Sequence, residues 1–415
     1  MPLAFDWNGT GKVLEYLRVL TEGREVTRAE VEAIDQDPGY TRLLRRRRLL
    51  IARMSEPRPG YDPEADAAGI TPDEFARCLE DHAARRVWTG HESLGNLART
   101  FAKARERLAE HIEVFGALKS LEPGALENEV REYLPAPARL DTTVYFPAET
   151  HSDAYVFEGD IFVSFFPLKP VDGCLTTTAG HLAPVLRHEL HHIGVGSVMP
   201  GAHPIESVPQ TAADVALGLL GGLLAEGMAT MFFTPLDPAQ RDDGEVTWGQ
   251  TAADLSLHYA VLEEVLGDLI AADGMAGGFA ASRLAELMRK TFCRFFSAYR
   301  GKHQPIVYVL GPDMCRVVAE AFGAERLVGL LREPGRFLAA YDEAAARCGG
   351  HRFPPSLHGC RPLGQARADR LPRFQVDDRC LVRFPLRDTG SLDQGHTPAV
   401  RGGKSLRAGG EVEHP

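Results

Sequence analysis

The sequence predicts a mainly α-helical α+β protein with one small β-sheet. Three observations carry this expectation. Apolar residues recur three and four apart through long stretches, β-branched and aromatic residues concentrate in one interval near residues 141–168, and prolines and glycines punctuate both textures. Residues 1–135 have the helical pattern, in Val13, Leu14, Tyr16, Leu17 and Leu20, in Phe75, Cys78 and Leu79, and from Leu94, Leu97 and Phe101 to Phe115 and Leu118. They are expected to form a helical first lobe. The stretch "SEPRPGYDPEAD" interrupts it, and Glu122-Pro123-Gly124 and Pro135-Ala136-Pro137 mark later stops. "DTTVYFPAET" and "DAYVFEGDIFVSFFPL" then suggest two strands, the second with a break at Glu158-Gly159.

Helical texture returns at Ala183. Pro184 suits a first turn, Leu182, Val185, Leu186, Leu190 and Ile193 form an apolar face, and Gly194 and Gly196 are expected to end the helix. Further helices are expected at about 210–234, 248–273, 278–299, 311–322 and 325–345. Together these make a second domain over 136–348. From 349 to 415 the chain turns to Arg, Gly, Pro and Asp with few clustered aliphatics, and a disordered tail is expected because little apolar surface is there to offset ordering entropy.

Composition narrows the function classes. A hydrophobic share of 44% and a charged share of 25% match ordinary folded proteins, and a net charge of −11 weighs against nucleic-acid or anionic-membrane partners. The run Arg45-Arg46-Arg47-Arg48, flanked by leucines, reads as a solvated turn of an amphipathic helix and is assigned no functional role. Seven scattered cysteines, none in a C-x-x-C pair, read as reduced thiols. The first twenty residues carry Asp6 and no unbroken apolar run, so no secretory signal is expected and the cytoplasm is the expected compartment. Val215 to Phe233 is apolar over a bilayer's length, but Glu226 lies inside it and no basic cluster flanks it, so a buried core helix is expected.

The chemistry concentrates in "RHELHHIGVG", residues 187–196. His188 and His192 are four apart, so on a helix their imidazoles project from one face and can share one cation. Glu189 follows the first histidine, placed to act as a base on water beside the metal. A pairing of His188 with His191 is also possible, but it leaves Glu189 without a role. Catalytic zinc needs a third protein ligand and an open position. A metzincin continuation fails, because its positions hold Val195 and Val198. Glu226, alone among Leu, Ala, Met and Phe in "LLAEGMATMFF", is the leading third ligand, since a bound cation would relieve the cost of burying its charge. Glu206 and Asp214 are the other candidates.

H-E-L-H-H followed by E-G-M-A-T resembles the gluzincin group of zinc metallopeptidases, and more narrowly a bacterial set of zinc-dependent peptidases carrying H-E-x-H-H and a later E-G-x-A. The resemblance covers about Val144 to Tyr341. It implies a zincin-like core with an active-site helix and a glutamate-bearing helix, one zinc per chain on His188, His192 and Glu226, Glu189 as catalytic base, and a peptide or protein substrate. Two departures stand out: 33 residues separate His192 from Glu226, more than in thermolysin-like or aminopeptidase members, and Thr230 stands where many relatives place an aspartate. Thr230, one turn beyond Glu226, is expected to bond a ligand histidine. Tyr308, His303 and His258 are the candidate oxyanion donors. Val156 to Phe165 is read as a core strand or as a sheet edge for an extended peptide. Hydrolysis of a non-peptide ester, amide or epoxide, or a non-catalytic metal-binding or scaffold role, are the alternatives.

Overall fold

Caps and fixed-φ prolines set the boundaries of the first helices. Thr27 and Glu30 form a reciprocal capping box, while Asp37, Asp62 and Thr71 each accept a backbone N–H at a helix start and are each followed by proline in the first turn. The resulting helices are α1 (Asn8–Thr21), α2 (Arg28–Asp35), α3 (Pro38–Met54), α4 (Pro63–Ala68), α5 (Pro72–Ala83), α6 (Glu92–Arg105), α7 (Leu108–Leu118) and α8 (Gly124–Arg131). The computed structural model describes residues 3–55, 60–122, 124–149, 154–171, 173–177, 180–199, 211–234, 252–273, 281–296 and 305–360.

The β interval is more divided than the two expected strands. A first strand, β1 (Ala4–Asp6), comes from the N-terminal segment and pairs in parallel with β2 (Thr143–Tyr145). "DAYVFEGDIFV" folds back on itself as β3 (Ala154–Phe157) and β4 (Asp160–Val163), because Glu158 and Gly159, at φ 51° and 77°, form the left-handed two-residue turn that matches strand twist. The order is β1-β2-β4-β3, with β4 parallel to β2 and β3 an antiparallel edge. A second sheet, not expected from the sequence, is an antiparallel meander of β5 (Lys169–Val171), β6 (Cys174–Thr177) and β7 (Gly180–His181).

From β7 the chain enters α9 (Leu182–Val198) directly. The glycines expected to stop this helix do not. A Cβ on Gly194 would lie 2.2 Å from Leu134 Cδ1, so Gly194 serves the packing of the helix against the chain after α8. Then follow α10 (Ala212–Phe233), α11 (Ala252–Asp273), α12 (Ala281–Phe296), α13 (Val307–Phe322), α14 (Ala324–Leu330) and α15 (Phe337–Cys348). The single helix expected over 325–345 is split by a 3-10 turn at Pro334–Arg336, where proline withholds its N–H.

Helix α10 is at the centre of this half. It opens with a Thr211–Asp214 capping box and packs against α9, α11, α12 and α13. Against α13 the two backbones meet: a Cβ on Gly227 would stand 2.5 Å from the Gly311 carbonyl carbon and oxygen, and one on Gly311 would stand 2.6 Å from the Leu223 oxygen. By length and composition α10 could cross a membrane, but 72% of its most apolar window is buried inside the protein, and that burial accounts for its composition.

The architecture is therefore mainly α with small mixed sheets, as the sequence predicts. One apolar cluster runs from Val13 and Phe75 through Phe162 to Leu223 and Tyr341, and Phe353 and Leu357 pack into it. The described residues fall within one unit, Met1–Arg370. Most of the expected tail, 361–415, lies outside the described residues. Among the described cysteines Cys78, Cys174, Cys315 and Cys348 are free thiols.

Candidate metal centre

Helix α9 carries His188 and His192 one turn apart on one face, with ring centroids 4.8 Å apart and planes at 73°. Helix α10 presents Glu226 to that face. His188 Nε2 lies 3.2 Å and His192 Nε2 3.3 Å from the same carboxylate oxygen, Oε2. The three ligand atoms all lie within 4.8 Å of one another, close enough to share one ion.

Hydrogen bonding alone does not complete this cluster. His188 shares an aligned hydrogen bond with Glu226, whereas the His192 Nε2 contact is close but misdirected, leaving that buried nitrogen without a hydrogen-bond partner. A buried, unsatisfied imidazole nitrogen costs free energy unless something else occupies its lone pair. A cation does this, so the donor set of two imidazoles and one carboxylate fits zinc. The electrostatics agree. Burial works against charge at Glu226 and at His192. At Glu226 the two imidazoles outweigh burial and hold the carboxyl far below the usual range, while Glu226 and Glu189 raise His192 to about 9. A metal would therefore displace a proton from His192.

Glu189, between the two histidines in sequence, is 8% exposed. Burial raises its pKa, opposed by the positive charge of His188 and His192. His191 does not join the cluster. It is fully buried, its ring packs 5.7 Å from Phe233, and burial together with its neighbouring histidines pulls its pKa well below the usual value, so it is a neutral core imidazole.

The sequence missed one neighbour. Thr230, expected to orient a ligand histidine, is buried with its hydroxyl unpartnered. The residue one turn further, Thr234, holds His188 Nδ1 at 2.9 Å from its position capping the C-terminal end of α10. Fixing the far nitrogen of a ligand imidazole sets its tautomer and orientation. Spacing from Glu226 pointed to Thr230; where α10 ends against α9 selects Thr234 instead.

The remaining candidates are placed elsewhere. Asp214 caps α10, its carboxylate accepting from Thr211 N, and lies about 18 Å along the helix from Glu226. Glu206 and His303 lie outside the described residues. Tyr308 on α13 and His258 on α11 are half-buried and engaged in interactions of their own, and neither is singled out as an oxyanion donor. Of the stretch Val156 to Phe165, only Val156 and Phe157 belong to the edge strand β3; Ile161 to Val163 are interior in β4.

A family model described as "Putative zinc dependent peptidase (DUF5700)" matches residues 96–348, which include all of α9 and α10. No curated protein and no solved structure matches the chain.

Proposed function

Because the chain belongs to the family of that description, with the match covering more than half its length, we propose that it is a gluzincin-type zinc peptidase with a zincin-like core, cleaving peptide bonds with Glu189 as general base. One observation carries the reading: two imidazoles and a carboxylate from separate helices converge on one point, where a buried imidazole nitrogen has no aligned hydrogen-bond partner. His188, His192 and Glu226 would hold one zinc per chain. Three protein ligands among the described residues, with His191 turned into the core, match a catalytic rather than a closed structural shell. When bound, zinc supplies Lewis acidity and brings the pKa of water towards neutrality.

The protein's own part follows from Glu189. Its buried carboxylate accepts a proton from the attacking water and delivers it to the leaving amine nitrogen, and burial raises its pKa above the usual carboxylate value. Thr234 keeps the His188 ring turned towards the cluster. The edge strand β3 supports the further reading that an extended peptide adds to the sheet there. A cytoplasmic protein without nucleic-acid or membrane partners is supported by the net charge of −11 and the free described cysteines.

The test is metal analysis of the purified protein followed by hydrolysis of a peptide library, with Glu189→Gln as control. About one zinc per chain and cleavage abolished in the variant are expected. Cleavage that persists in Glu189→Gln would refute the base assignment. Hydrolysis of esters, amides or epoxides with peptides untouched would keep the centre and change the substrate.

A further inference from the structure

Helix α13 carries Gly311 and Pro312 side by side within its length. Glycine and proline are the two least favourable residues for a helix interior, so local propensity does not account for the pair. The crossing with α10 accounts for Gly311. It lies against Gly227, the residue directly after Glu226, and a Cβ on Gly311 would stand 2.6 Å from the Leu223 oxygen and 3.1 Å from the Gly227 nitrogen and Cα. Cys315, one turn further along α13, closes on the same spot. Its Sγ would be 2.7 Å from a Cβ on Gly227, and its thiol donates to the Leu224 carbonyl at 3.8 Å.

Ordinary contact begins at 3.4 Å, so a methyl group at Gly311 would require the two helices to part by about 0.8 Å, since the groups at a crossing set the distance between helix axes. No flexible side chain is there to give way. Helix α13 is also held from behind its crossing: Leu310, Met314, Cys315 and Val318 are buried, α11, α14 and α15 pack against it, and the Tyr259 hydroxyl of α11 donates to Asp313 at 2.7 Å. The strain therefore falls on α10 and on Glu226, whose Oε2 stands 3.2 Å and 3.3 Å from the His188 and His192 Nε2 atoms. Bonds to a metal are set to within about 0.2 Å. A displacement several times larger can be absorbed only in part by the torsions of the Glu226 side chain.

We propose that Gly311 is a positioning residue of the metal centre: through Gly227 it sets how far Glu226 reaches towards His188 and His192. This rests on the ligand assignment above and not on the nature of the substrate.

The experiment uses the full-length protein. Zinc affinity is read by competition with a chromogenic chelator, ligand geometry by the visible spectrum of cobalt-substituted protein, and stability by denaturant unfolding. Gly311→Ala is expected to weaken zinc binding by about 10- to 100-fold, the range for losing an outer support of a metal ligand, and to change the cobalt spectrum. Leu330→Ala truncates a buried side chain of α14, which also packs against α13, and should lose stability while keeping wild-type affinity and spectrum. A merely structural Gly311 would behave as Leu330 does, and that result overturns the proposal. Equal loss of affinity in Leu330→Ala overturns it too, because any loosening of α13 would then suffice. Should Gly311→Ala not fold, Cys315→Ala tests the same crossing by removing atoms; zinc binding weakened about threefold or more supports the proposal, and unchanged affinity and spectrum overturn it. Wild-type protein that holds zinc no more tightly than Gly311→Ala keeps the ligand assignment and removes Gly311 from it, whereas wild-type protein without zinc overturns both.

Discussion

Two of the glutamates set into the interior of this protein, Glu149 and Glu226, are neutralised in opposite ways. Glu149, 1% exposed, has its charge met from within: Arg47 lies 2.9 Å away and the Tyr155 hydroxyl donates to it. Among the described residues Glu226 is paired with two imidazoles, groups that carry charge or not according to the protons they hold, and one of those imidazole nitrogens has no aligned partner. A permanent guanidinium closes the first arrangement, leaving nothing for a ligand to do. The second is complete only with a proton or a metal brought from solution. The difference separates a structural buried charge from a functional one more sharply than burial alone.

The largest effect should come from emptying the second arrangement. His192→Ala should abolish stoichiometric zinc, with affinity reduced by more than the ~100-fold that losing an outer partner costs, and Glu226→Gln should weaken it in the same direction. Metal analysis after dialysis reads both, and full zinc occupancy in either variant would remove that residue from the site. Glu189→Gln should keep its zinc and lose about 100- to 10,000-fold in peptide turnover. On the other side of the comparison, Glu149→Gln leaves Arg47 buried without its counter-charge and should cost about 3–5 kcal/mol of stability. Denaturant unfolding measures this, and zinc content should be unchanged; a variant that loses zinc but not stability would reverse the assignment of the two glutamates. Thr234→Val should lower zinc affinity or turnover by about 10- to 100-fold through a loosened His188 ring.

The smallest effect concerns imidazoles at which burial prevails over any neighbouring carboxylate. His111 packs 4.9 Å from Phe166 and His82 shares a hydrogen bond with Tyr16, and burial lowers the pKa of both. Their folded pKa lies below the unfolded value of about 6.5, so the unfolded chain binds more protons and stability is lost as pH falls through that value. Stability measured from pH 8 to 5 should therefore decline on the acid side, and His111→Phe should flatten part of the decline. Burial pulls His192 down in the same way, but its carboxylates outweigh it and raise the group to about 9.

Much of the metal cluster was legible because it is written in local geometry. A four-residue spacing sets His188 and His192 on one helical face, and a lone acid in an apolar run marks Glu226. What was not legible depends on how helices and strands meet. Thr234 rather than Thr230 orients His188 because of where α10 ends against α9. The arginine run is solvated only in part: Arg45 and Arg48 are exposed, but Arg45 pairs with Glu158 and Arg47 with the buried Glu149, partners more than a hundred residues away in sequence. Strand β1 was missed because three residues beside Trp7 carry no periodicity of their own and are recruited by β2. Gly194 resembled a stop signal and instead makes room for Leu134.

The glycine crossing of α10 and α13 bears on how this centre can change. Gly227 follows Glu226 directly, and its backbone touches that of Gly311 with no side chain between them. A contact made of main chain alone has no rotamer to adjust, so the acid is riveted at a depth that neighbouring substitutions cannot tune by repacking. Diversification of specificity is thereby pushed outward to the rim, while the anvil beneath it admits little revision.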